Sequence, residues 1–308
     1  MGVARGGCLV WSVSVGLAAG VAVVGDGGGG GGNGGGDGAG GSGGVDGDGR
    51  RVNPDRVMLT EVLFHTPTAS SVEAGPGVVV GDASGDGVRS ATGDEFVELW
   101  NPTGEAVDLE GWSIVSRLAW HAEEASAKRG VRFVFPEFEL PPGEVVVVFN
   151  GYRTVVGEWP VGSSGDSEVV GGEGGAPEGR HGGFGGAWVF VMSMNSRNRA
   201  LSNSGDFALL LDASGEPVEG VVWGEPDLGP PVAWEEDEEG GSRERYALHE
   251  VAEDPGGSVE RVLDEDGVAG GFVRHAGAGG DRLYSPGVVL EVEGGAGWWW
   301  GRCAAWRA

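Results

Sequence analysis

The oxygen donors of this chain fall at ligand spacing in residues 81–95, GDASGDGVRSATGDE. Asp82, Ser84 and Asp86, followed by Gly87, take the first, third, fifth and sixth positions of a D-x-[DN]-x-[DN]-G calcium loop, with serine replacing an acid at the third. Alternate oxygens converge on one hard cation while the glycine allows the bend. Gly93 stands where a bidentate glutamate belongs, and Asp94 and Glu95 follow just late. Two readings stand side by side: a Ca²⁺ site built from Asp82, Ser84, Asp86, Asp94 and Glu95, and a solvated acidic turn.

No residue type is arranged for catalysis. The five histidines, His65, His121, His181, His249 and His275, stand in no metal or nucleophile motif, and HExxH, a P-loop and a strand-borne GxSxG or GxGxxG are all missing. GGFGG at 182–186 lacks a strand-to-helix context and reads as linker. Glu95 and Glu98 lie three apart on an expected strand, so alternation sends them to opposite faces, and they cannot by themselves flank a glycosidic bond. Trp100, Trp112 and Trp223 offer flat faces for sugar rings. For Trp112, which follows a period-two pattern, core filling is the expected role.

The elements that must position these residues start at 93–115, GDEFVELWNPTGEAVDLEGWSIV. Phe96, Val97, Leu99 and Trp100 make a strand; Asn101-Pro102-Thr103-Gly104 makes a turn; Val107 and Leu109 then alternate with polar residues. Residues 57–64 read as the first strand. Residues 131–135 and 145–149 read as a β pair around Pro141-Pro142-Gly143, the second strand apolar throughout as if covered on both faces. Residues 207–211 and 218–223 form a hairpin over Asp212–Glu216, and 117–129 is one short helix or a decorated loop.

The order of residues in EFVELWNPTGEAVDLEGW resembles the lamin tail domain in its bacterial form. RFVFPEFELPPGEVVVVF at 132–149, LSNSGDFALLLDASGEPVEGVVWG at 201–224, SVERV at 258 and YSPG at 284 resemble the later blocks of that family. The resemblance implies an all-β, immunoglobulin-like β-sandwich, and bacterial members commonly accompany secreted or membrane-associated hydrolases. In the family, Glu95 and Glu98 belong to the fold signature rather than to a catalytic pair.

Composition bounds the rest. The chain has 65 glycines among 308 residues, where average usage gives roughly 22, so the excess must lie in linkers, turns and insertions. A net charge of −27 repels nucleic acid and anionic lipid. The expected organisation is a signal peptide at 1–25, a disordered Gly-rich linker at 26–54, the sandwich at 55–224, an acidic loop at 225–257, an appended segment packing on the sandwich at 258–287, and a Trp-rich tail at 288–308. Residues 152–186 are expected to be a mobile insertion. An exported, non-catalytic binding or surface-structural module follows, meeting an unknown protein or glycan at the cell surface. It has no transmembrane segment beyond the N-terminal signal or anchor. The alternatives are a calcium-dependent secreted hydrolase and a carbohydrate-binding module.

Overall fold

The structure, a computed structural model, describes residues 56–69, 79–122, 130–154, 161–164, 174–192, 200–236, 242–253, 256–263, 269–275 and 283–289. The chain divides into two units, Met1–Gly41 and Ser42–Ala308, and every described residue lies in the second. The expected signal peptide, all of the linker and the tryptophans of the tail lie outside the described residues.

Two β-sheets carry the fold. In one, seven strands run in the order β16 (Ala269–Arg274), β15 (Val259–Leu263), β1 (Met58–Leu63), β2 (Phe96–Trp100), β7 (Val145–Phe149), β9 (Trp188–Val191) and β8 (Gly162–Ser163). The other orders β14 (Ala247–Val251), β11 (Pro217–Gly224), β10 (Gly205–Leu211), β4 (Ser113–Ser116) and β5 (Arg132–Val134). Two ribbons complete it: β3 (Val107–Asp108) with β6 (Glu139–Leu140), and β12 (Trp234–Glu236) with β13 (Ser242–Glu244). The helical expectation at 117–129 reduces to one turn, α1 (Arg117–Trp120), within the described residues.

Strand alternation decides which side chains meet. Leu59, Val62, Val97, Leu99, Val146 and Val148 of the first sheet pack against Ile114, Phe133, Ala208, Leu210, Val221 and Trp223 of the second. Phe64 stacks on Trp223 with ring centroids 4.0 Å apart. The outer face of the first sheet is apolar too. Leu63, Phe96, Val147, Phe149 and Val189 are capped there by Ala83, Phe184 and Ala187, with Tyr284 packed alongside. Covered faces on both sides explain why β7 reads VVVVF without alternation.

The hairpin of β10 and β11 forms as expected, with Gly215 in the left-handed region at φ 85°. Other expectations are corrected. Residues 131–135 and 145–149 are not a pair: β5 joins β4 in one sheet, while β7 joins β2 and β9 in the other. Asn101 holds the crossing together, donating from Nδ2 to the carbonyls of Glu105 (2.8 Å) and Leu140 (2.9 Å), while its own carbonyl accepts from Gly143 N (2.8 Å). GGFGG is no linker. Gly182–Phe184 form a 3₁₀ turn that buries Phe184 against Phe149, and this lies within the stretch expected to be mobile. The 225–257 stretch holds strands β12, β13 and β14, the last parallel to β11, where only an acidic loop was expected. The 258–287 segment does more than pack on the sandwich. It supplies β15 as the neighbour of β1 inside the first sheet.

Candidate functional site

Three strands of the first sheet each carry one glutamate in an otherwise mostly apolar run: Glu61 in MLTEVL, Glu98 in FVELW and Glu260 in VERVL. The registers set Glu61 directly opposite Glu98 on one side and Glu260 on the other. Alternation turns them to the outer face that also presents Phe96 and Leu63. All three are at most 1% exposed. Like charges directly opposite on neighbouring strands repel, so this row needs compensation.

Compensation comes from the C-terminal segment. Glu61 accepts from Ser285 N at 3.0 Å and from the Ser258 hydroxyl. Glu98 accepts from Thr60 Oγ1 and from Gly287 N, each at 2.6 Å. His275 Nε2, wholly buried, lies 2.9 Å from Glu260 Oε2 and 2.8 Å from Ser285 Oγ. Burial, reinforced by the Glu98 and Glu260 charges, raises Glu61 well above the usual carboxylate range. Burial likewise pushes Glu98 up to about 8. Among the described residues, ligand atoms of Glu61, Glu260 and His275 lie within 4.8 Å of one another.

The residue after Glu260 points the other way and builds a second knot. Arg261 donates from Nε to Leu59 O at 2.7 Å and pairs through Nη2 with Glu219 Oε1 of β11. Glu219 Oε2 accepts from Leu59 N at 2.6 Å, and His249 Nε2 of β14 lies 3.1 Å from Glu219 Oε1. The register of β1 slips between Leu59 and Glu61, and the two side chains take up the backbone groups of Leu59. Burial opposes ionisation of Glu219, but Arg261, His249 and the Leu59 N–H outweigh it and hold the carboxyl down to about 2.

The residues of 81–95 are distributed differently. Asp82 Oδ1 accepts from Asp86 N (3.0 Å) and Oδ2 from Gly87 N (2.8 Å). Asp94 accepts from Ser84 N (2.9 Å) and Ser90 N (2.6 Å), and Asp86 from Val88 N (2.7 Å). Asp82, Ser84, Asp86 and Asp94 thus share one loop whose carboxylates grip its own backbone. Glu95 leaves it: its Oε2 accepts from Leu201 N at 3.0 Å, and burial raises it well above the usual range. Glu95 and Glu98 serve separate networks, as alternation requires.

Of the tryptophans, Trp223 is buried, Trp112 packs on the main core, and Trp100 is half-buried against Met58 and Leu263. Trp100 also lines a groove with Glu144, Arg180 and Val289, while a second groove holds Arg132 and Asp212 beside Trp120. Two histidines that stand in no sequence motif, His249 and His275, find carboxylates only through the fold. The available signal was a glutamate set inside each of three apolar strands.

Residues 56–225, more than half of the chain, match the family model described as Lamin Tail Domain. No curated protein is similar enough to the chain to count as a match.

Proposed function

The chain belongs to the lamin tail domain family, and we propose that it works as an exported, non-catalytic binding or surface-structural module. The sandwich is the scaffold, and its partner is a protein or glycan at the cell surface. One observation carries this reading: among the described residues, the histidines that meet a carboxylate, His249 with Glu219 and His275 with Glu260, do so in contacts that tie strands together. Among the described residues, the groove beside Trp100 is lined by one carboxylate, Glu144, and that beside Trp120 by one, Asp212. Glycoside hydrolysis needs two carboxylates facing one bond. Export rests on the apolar run of residues 8–25.

Calcium stabilisation of the loop is the finer part of the proposal, with Asp82, Ser84, Asp86 and Asp94 as donors. It is supported by Ser84, which links two of the acids: its hydroxyl donates to Asp82 Oδ1 at 3.4 Å and its N–H to Asp94 Oδ1 at 2.9 Å. The test uses the full chain with chromogenic polysaccharides and phosphodiesters in Ca²⁺, alongside melting in Ca²⁺ and in chelator. The expected result is no turnover and a melting temperature raised by Ca²⁺ in the parent but not in Asp86→Ala. Turnover that disappears in Asp86→Ala would replace the module with a calcium-dependent hydrolase.

A further inference from the structure

We propose that Glu61, Glu260 and His275 bind one divalent transition-metal ion of the zinc class, a site separate from the 81–95 loop. The three come from sequence positions up to 214 apart, and the fold alone gathers them. Their ligand atoms already lie within 4.8 Å of one another, and all three are buried.

Two features go beyond a group of acids. The donor set is mixed: one imidazole nitrogen and two carboxylates suit a borderline ion such as Zn²⁺, whereas Ca²⁺ takes six to eight oxygens. The carboxylates are also crowded. Among the described residues, Glu61, Glu98 and Glu260 stand in one buried row with His275 beside Glu260, and a divalent cation bound there eases the repulsion of like charges on neighbouring strands. Ser258 Oγ and Ser285 N hold Glu61 in the manner of an outer shell that aims a ligand. Because Ser285 arrives from the last described segment, the site is complete only when the C-terminal part has folded onto β1. Metal uptake is therefore coupled to that closure.

The experiment uses the full chain, stripped with chelator and dialysed, then titrated with Zn²⁺ by calorimetry and with Co²⁺ by visible absorption. One equivalent of Zn²⁺ is expected to bind and raise the melting temperature, with a Co²⁺ spectrum showing a nitrogen ligand. Glu260→Gln and His275→Gln are each expected to weaken Zn²⁺ at least tenfold, while Asp86→Ala leaves it unchanged. A folded parent chain that takes up no Zn²⁺ overturns the site, and this arm needs no variant to fold. So does stoichiometric Zn²⁺ binding that survives in both variants, because the ion then sits elsewhere. Loss of calcium stabilisation in Asp86→Ala reads only on the loop, so the two proposals fail independently.

Discussion

Strand β15 is pinned on both faces by buried polar knots made from adjacent residues, and the two are balanced in opposite ways. Arg261 brings a guanidinium to Glu219, with His249 beside it. Glu260 adds a third carboxylate to a row that already holds Glu61 and Glu98. The matched knot keeps Glu219 ionised, down to about 2, while burial, with the Glu260 charge adding to it, pushes Glu98 up to about 8. Burial is nearly the same in both. Burial opposes ionisation in both, and a guanidinium with an imidazole beside it is enough to reverse that for Glu219.

The sharpest way to break the matched side is Arg261→Met. It leaves Glu219 buried without its guanidinium, and we expect a loss of about 3–5 kcal/mol in urea unfolding at neutral pH. The double variant Arg261→Met, Glu219→Met should lose much less, because no lone charge remains. A single variant that unfolds at the parent's urea concentration would mean that the knot contributes nothing.

Acid probes the same side with the charge intact. The folded carboxyl of Glu219 lies near 2 and its ordinary value is 4.5. Its contribution is thus fully present above about 4.5 and is lost as pH falls toward 2, on the order of 3 kcal/mol. Unfolding free energy measured from pH 6 to pH 2 should fall through that window in the parent and fall less steeply in Glu219→Gln. Parallel curves would contradict the assignment.

The smallest of these effects is expected over the unmatched row. Gly287 donates to Glu98 from a backbone at φ 88°, and a Cβ there would meet Phe184 O at 2.0 Å. Gly287→Ala should cost about 1–3 kcal/mol by left-handed strain and by lifting the turn off Phe184. The measurement is the urea midpoint, and an unchanged value would show that the turn shifts freely over the row.

Much of the sandwich was legible because it is local. β1, β2 and the hairpin of β10 and β11 announce themselves by β-branched and aromatic runs bounded by turn residues. Their sheet partners do not. The stretch 132–149 looks like one hairpin because periodicity records which face a strand buries, but not which sheet receives it. Phe184 was lost among glycines, and β14 behind an acidic run whose charge dominates its window. The unmatched row was beyond sequence spacing altogether: Glu61, Glu260 and His275 share no motif and meet through strand register. Only the blocks SVERV and YSPG hinted that the C-terminal segment matters to the fold, and the structure shows why, through Ser258, Arg261, Ser285 and Gly287.

The position of β1 in the middle of its sheet also sets a timetable. Its partner β15 is encoded about 200 residues later, the separation across which Arg261 reaches Leu59. At about 5–20 residues per second, ribosomes complete β15 roughly 10–40 s after β1. Through that interval one edge of β1 has no strand beside it, and its Leu59 carbonyl lacks the guanidinium of Arg261. An open edge of this kind is a template for the wrong partner. The last strands to be made are therefore what ends the nascent chain's exposure to aggregation, and a chain truncated after the family-matched region would carry that exposed edge permanently.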